Sequence, residues 1–201
     1  MREELERRWL ELALANDQPK PDQIWETLRK HYNEPHRHYH NLAHIEACLG
    51  WLDHVSDQAE DPVAMEFALW FHDIIYNTLS SLNEQDSADF AGILLIPPVN
   101  VEQVCDLILA TDHRADVQGD AALLCDIDLA TLGSEPSDYL AYQCQIREEY
   151  GWAPDPEYFE GRIKVLRHFL SRPKIYVTDA FRHLEESARR NLEAEIQSLS
   201  S

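Results

Sequence analysis

The doublet His72-Asp73 lies inside the apolar run Ala68-Leu69-Trp70-Phe71-His72-Asp73-Ile74-Ile75-Tyr76, where two metal-ligating side chains interrupt what should be a dry core helix. An unpaired carboxylate is costly in such surroundings, so this one needs a cation. Upstream, Tyr39-His40-Asn41-Leu42-Ala43-His44-Ile45 carries two histidines four residues apart. On a helix His40 and His44 share one face, so one can ligate while the other reaches toward substrate. Downstream, Leu124-Cys125-Asp126-Ile127-Asp128-Leu129 sets two further carboxylates among aliphatic residues. A lone buried histidine is ordinarily a hydrogen-bonded core residue, but three such places in one chain point to a metal centre. Residue types alone leave open whether Asp126 or Asp128 completes it.

Other groups could serve the same chemistry. Arg37, in Pro35-His36-Arg37-His38-Tyr39-His40, is the cation nearest the expected site, and a guanidinium can bind two phosphate oxygens at once. A surface salt bridge is its alternative role, and a polar loop is the plainer role for His36 and His38. Glu84 follows the polar stretch Asn77-Thr78-Leu79-Ser80-Ser81-Leu82-Asn83 and can cap the helix that begins there. His113, in Thr111-Asp112-His113-Arg114, can face solvent at a helix end, held by the carbonyl dipoles.

The elements that must position these groups are all helical. Apolar residues recur at three-and-four spacing in nearly every segment, and Pro and Gly fall mainly between the segments. Helices are predicted over about 2–16, from 21 through His31, over 39–55, from Asp61-Pro62 to about 76, over 84–95, 101–111, 119–132 and 137–151, and from Asp155-Pro156 through Leu170. Thr178 or Asp179 is expected to cap the last one. Only Lys174-Ile175-Tyr176-Val177 has strand-like composition, and it is too short to build a sheet. The carboxy-terminal segments around Arg172-Pro173-Lys174 and Arg189-Arg190 could close over the cleft or form a homodimer face, although packing on the core is the expectation.

Composition sets the boundaries. A chain of 201 residues without an internal break in character reads as one all-α domain, 1–201, with its metal-site core at about 36–132. Its 17 Lys+Arg against 37 Asp+Glu give a net charge of −20, which argues against long nucleic acid or anionic membrane as partners. Cys48, Cys105, Cys125 and Cys144 form no C-x-x-C pair and read as reduced core thiols. No signal-like or bilayer-length apolar segment is present, so a cytoplasmic protein is expected.

Taken together, these motifs resemble the HD-domain superfamily of metal-dependent phosphohydrolases, whose pattern is a His, a His-Asp doublet and a distant Asp, all on helices. The residues that match are His44, His72, Asp73 and Asp128, so the resemblance favours Asp128 over Asp126. The block Tyr39-His40-Asn41-Leu42-Ala43-His44 is also similar to the Y-H-N-x-x-H signature of cyclic-nucleotide phosphodiesterases, which implies His40 as general acid to the leaving oxygen. By the same resemblance His113 stands where some members ligate a second metal, and Glu84 can orient or deprotonate the attacking water as a carboxylate does in related nucleotidases. The match covers roughly residues 36 to 132, and the flanks resemble bacterial members of the superfamily rather than true phosphodiesterases. It implies one or two divalent ions (manganese, iron, cobalt, nickel, zinc or magnesium) and a small phosphorylated substrate, a nucleotide or related metabolite. Two other activities stay open: an HD-type diiron oxygenase, for which only His113 lies between Asp73 and Asp128, and a non-catalytic metal-containing nucleotide-binding or regulatory domain.

Overall fold

Asp61 and Pro62 open the helix that leads to the site. The Asp61 carboxylate accepts the Ala64 amide at 2.9 Å and Pro62 takes the first helical position, where its missing N–H costs nothing. Asn41 does the same for an earlier helix, accepting the Ala43 amide at 2.8 Å, and Asn100 for a later one, accepting the Gln103 amide at 3.3 Å.

The structure, a computed structural model, describes residues 2–200, and among them every regular element is a helix. In chain order these are α1 (Arg2–Ala15), α2 (Pro21–Tyr32), α3 (Leu42–Val55), α4 (Pro62–Phe71), α5 (Asn83–Leu94), α6 (Val101–Ala110), α7 (Gly119–Asp128), α8 (Pro136–Glu149), α9 (Asp155–Ser171) and α10 (Glu185–Leu199). Short 3-10 turns cover Ser56–Gln58, Leu129–Gly133 and Arg182–Leu184. The all-α expectation holds. No described helix is long and apolar enough to cross a membrane.

By its internal contacts the chain divides into two compact units, Met1–Leu124 and Cys125–Ser201. In the first, α4 is central: Ala64, Met65 and every residue from Phe67 to Phe71 are buried, as an all-round apolar helix requires. Trp9 of α1 presents its ring edge-on to Phe67, Trp70 and Phe71 at 5.7–5.9 Å, and Trp25 of α2 meets Trp70 at 6.2 Å. Each such large side chain stabilises the fold by about 1.5–3 kcal/mol on burial. Helices α3 and α6 also pack on α4, and α5 packs on α6. Asp120 ties the start of α4 in place by accepting the Glu60 and Asp61 amides at 2.7 and 2.8 Å.

In the second unit, α10 packs on α9 and on the 3-10 turn Leu129–Gly133. Arg162 of α9 and Glu195 of α10 form a buried pair, with Nε to Oε1 at 2.7 Å. The turn needs glycine at 133, because a Cβ there would meet Leu184 Cβ at 2.6 Å and the Leu184 carbonyl at 2.9 Å.

Several expectations are corrected, four about helix bounds and one about burial; the helix expected over 119–132 is α7 only to Asp128, and Leu129–Gly133 is a 3-10 turn. Helix α3 begins at Leu42 rather than 39, because Asn41 caps it, so His40 lies in the preceding turn. Helix α4 ends at Phe71 instead of running to 76, which places His72 at the cap and Asp73 beyond the helix. Helix α10 begins at Glu185 and not at 178–179, because the Thr178 amide and hydroxyl are taken by Asp126 at 2.7 and 2.6 Å. Cys144 is exposed, unlike the buried Cys48 and Cys125 and the half-buried Cys105.

Candidate metal centre

The end of α4 sets the chemistry of His72. Its amide still donates to the Ala68 carbonyl at 2.8 Å, which keeps the side chain in the core at 1% exposure. Its Nδ1 lies 3.0 Å from the Leu69 carbonyl, and a carbonyl can only accept, so Nδ1 holds the proton and Nε2 keeps its lone pair. That lone pair is 3.0 Å from Asp73 Oδ2. His44, in the first turn of α3 and also buried, brings its own Nε2 to 3.2 Å from His72 Nε2 and 3.5 Å from Asp73 Oδ2. Acceptors this close repel each other unless a cation or a proton lies among them.

His44, His72, Asp73 and Asp128 each offer one ligand atom, and the four atoms lie within 4.8 Å of one another. Donors held about 2.1 Å from a common ion are themselves about 3.0–3.4 Å apart, depending on coordination number. Two of the separations around His44, His72 and Asp73, 3.0 and 3.2 Å, fall in that range and the third, 3.5 Å, lies just above it, so this donor set fits a divalent ion after a small adjustment. Two imidazole nitrogens with carboxylate oxygens suit manganese, iron, cobalt, nickel, zinc or a hydrated magnesium. Burial alone would raise the Asp73 carboxyl pKa, yet the neighbouring imidazoles of His72, His40 and His44 hold it well below the usual carboxylate range. Asp126, by contrast, accepts the Val177 amide and both Thr178 donors at 2.6–2.8 Å. It is an anchor for the segment after α9, and burial raises its pKa.

Around the ligands stands a group of rings. His40 is not on the helical face of His44 as expected, but its ring centroid is still 5.9 Å from that of His44. Tyr76 stacks on His40 at 4.1 Å, and the Tyr39 ring meets His40 edge-on at 5.0 Å. His36, an exposed residue, reaches the Tyr76 carbonyl with Nε2 at 3.0 Å, and His38 is half-buried. Cys48 places Sγ 3.6 Å from His44 Nε2. Neither Tyr76 nor Cys48 was singled out from sequence. Tyr76 ends the apolar run of the doublet, and Cys48 stands one helical turn after His44, which are the only signals that mark them.

Glu84 lies half-buried in the first turn of α5, where it does not serve as the N-cap, a position held by Leu82. Burial, and then the Asp73 carboxylate, push its pKa up against the pull of its own backbone amide and of Arg114. His113 sits outside the four-ligand group, in the turn after α6, with a left-handed backbone of φ 55°. Arg37 has partners other than a substrate phosphate. Its side chain is wholly buried, with Nε on Glu34, Nη1 on the His40 and Asp73 carbonyls and Nη2 on the Ile74 carbonyl. Carbonyls at the end of α4 carry partial negative charge and claim the guanidinium that the sequence had offered to a phosphate.

Compared with known proteins, the chain matches no family model, no curated protein and no solved structure. A helical scaffold with a His/Asp cluster able to hold a metal ion is the class that its fold and site define.

Proposed function

We propose that this protein hydrolyses a phosphate ester in a small molecule, a nucleotide or related metabolite, at a divalent metal centre held by His44, His72, Asp73 and Asp128. The observation that carries the reading is the convergence of His44 Nε2, His72 Nε2 and Asp73 Oδ2 within 3.0–3.5 Å of one another, with both imidazoles buried. The order of these residues along the chain is that of the HD-domain pattern. When bound, a divalent ion supplies positive charge for the phosphoryl oxygens and acidifies water.

The chain's own residues supply the rest. His40, stacked on Tyr76 and close to the ligands, is the general acid that hands a proton to the leaving oxygen. Glu84, raised in pKa beside Asp73, orients the attacking water and receives its proton. With Arg37 committed to backbone carbonyls, attraction of the phosphate falls chiefly to the metal centre and to His40.

A panel of phosphomonoesters and phosphodiesters, assayed with each of the six candidate metals, tests this reading. Metal-dependent phosphate release is expected, with His40→Ala lowering kcat about 100- to 10,000-fold while the metal stays bound. Absence of turnover on every ester with any metal would contradict hydrolysis. Oxygen consumption by iron-loaded protein would favour the diiron oxygenase instead, and nucleotide binding without turnover would favour a regulatory domain.

A further inference from the structure

We infer that Arg37 is a positioning residue of the metal centre, fixing the backbone of Asp73 so that its carboxylate meets the two imidazoles. The inference rests on the metal-centre reading above but not on the reaction assigned to it. Helix α4 stops at Phe71, so the chain from Asp73 onward has no helical partners for its carbonyls. Other parts of the same unit supply them. Arg37 Nη1 donates to the Asp73 carbonyl at 2.5 Å and Nη2 to the Ile74 carbonyl at 2.8 Å. Ser87 of α5 accepts the Ile75 amide at 3.1 Å and donates to the Ile75 carbonyl at 3.3 Å, while His36 Nε2 is 3.0 Å from the Tyr76 carbonyl. Every residue from Asp73 to Tyr76 is thereby gripped by a side chain distant in sequence.

Arg37 stands apart among these because it also joins the doublet to the general-acid candidate. The same Nη1 reaches the His40 carbonyl at 3.2 Å, so one nitrogen spans residues 40 and 73. The guanidinium itself is enclosed by further partners. It lies 5.2 Å from the Tyr32 ring centroid and 5.5 Å from that of Tyr76, and Glu34 holds Nε at 2.9 Å. A planar fork with three directed nitrogens meets these demands, whereas a lysine brings one nitrogen to the same carbonyls. Donor groups must be held to within about 0.5 Å for a metal site to work, and groups behind the ligands typically contribute about 10- to 100-fold in metal affinity.

The test uses Co²⁺ as the probe on the full chain, with affinity read by competition against a chromophoric chelator. The visible spectrum of the Co²⁺-loaded protein reports donor geometry, and far-ultraviolet circular dichroism in EDTA reports the fold. Arg37→Lys is expected to keep the helical signal while Co²⁺ binds about 10- to 100-fold more weakly with shifted visible bands. Ser87→Ala, a milder change on the same segment, is expected to weaken Co²⁺ several-fold and serves if Arg37→Lys does not fold. A folded variant with wild-type affinity and spectrum would overturn the positioning role and leave the metal centre standing. Wild-type protein that takes up no Co²⁺ would overturn both. Co²⁺ binding without hydrolysis of any ester, with Arg37→Lys still weaker, would support the positioning role while removing the proposed reaction.

Discussion

The Nε2 atoms of His44 and His72 face each other at 3.2 Å, and the second nitrogen of His72 is already committed to the Leu69 carbonyl. The His72 Nε2 lone pair therefore faces the Asp73 carboxylate oxygen at 3.0 Å, two acceptors side by side in the metal-free site. A divalent ion should therefore stabilise the fold as well as serve the chemistry. At about 100 times its Kd such an ion adds about 2.7 kcal/mol. For a chain of this size that raises the melting midpoint by roughly 5–10 °C. Thermal melts with EDTA and with manganese, cobalt or zinc check this, and a midpoint that no metal moves counts against it.

Asp126 and Asp128 are two residues apart and do different work. Asp128 offers an oxygen to the ligand group, whereas Asp126 is occupied by three donors from Val177 and Thr178. Asp128→Ala should abolish metal binding with little change in the metal-free melt. Asp126→Asn should keep metal binding but lose about 1–3 kcal/mol, because an amide nitrogen now faces donors. The reverse pattern in denaturant titrations and metal assays would exchange the two assignments.

Arg162 and Glu195 are joined by two hydrogen bonds, 2.7 and 3.1 Å long, and Tyr139 donates to the same carboxylate at 2.5 Å. Removing one partner leaves a buried, uncompensated charge. Arg162→Met or Glu195→Gln should each cost about 3–5 kcal/mol, and the double variant should recover much of the loss. Urea unfolding of the three variants measures it; simple additivity would show that the pair is not coupled.

Burial holds His31 below the ordinary imidazole pKa of 6.5, with Arg37 and Lys30 adding to the effect and Glu34 and the Ile74 carbonyl opposing it. The unfolded chain then binds the proton more tightly than the folded one. His31 therefore contributes no penalty above pH 6.5, and stability is lost as pH falls through and below that value. His31→Gln should flatten the fall in melting midpoint between pH 7 and 5 relative to wild type. An unchanged slope would place the pH dependence elsewhere.

Much of this was legible in the sequence because helix periodicity and caps are local signals. Asp61-Pro62 marked the start of α4, and the apolar run around His72 marked its burial. Positions set by long-range bonds were not legible. The pattern let α4 run on to Tyr76, but Arg37 and Ser87 supply partners that end it at Phe71, and no local feature announces a donor 36 residues away. Likewise the sequence left Arg37 open as a phosphate ligand or a salt-bridge partner, because type and neighbourhood give charge but not direction; its ion pair with Glu34 is the second of these. His40 came off the helix because Asn41 outcompetes it as a cap. The preference for Asp128 over Asp126 came from the family pattern; the residues alone could not reveal that Thr178 would occupy Asp126.

The central claim is that His44, His72, Asp73 and Asp128 share a divalent ion, and metal content measures it most directly. Elemental analysis of wild-type protein purified without added metal, beside His72→Ala and Asp73→Ala, should find at least one equivalent of a divalent ion in the wild type and almost none in either variant. Full occupancy in both variants, or a wild type that neither carries nor takes up an ion, would contradict the account.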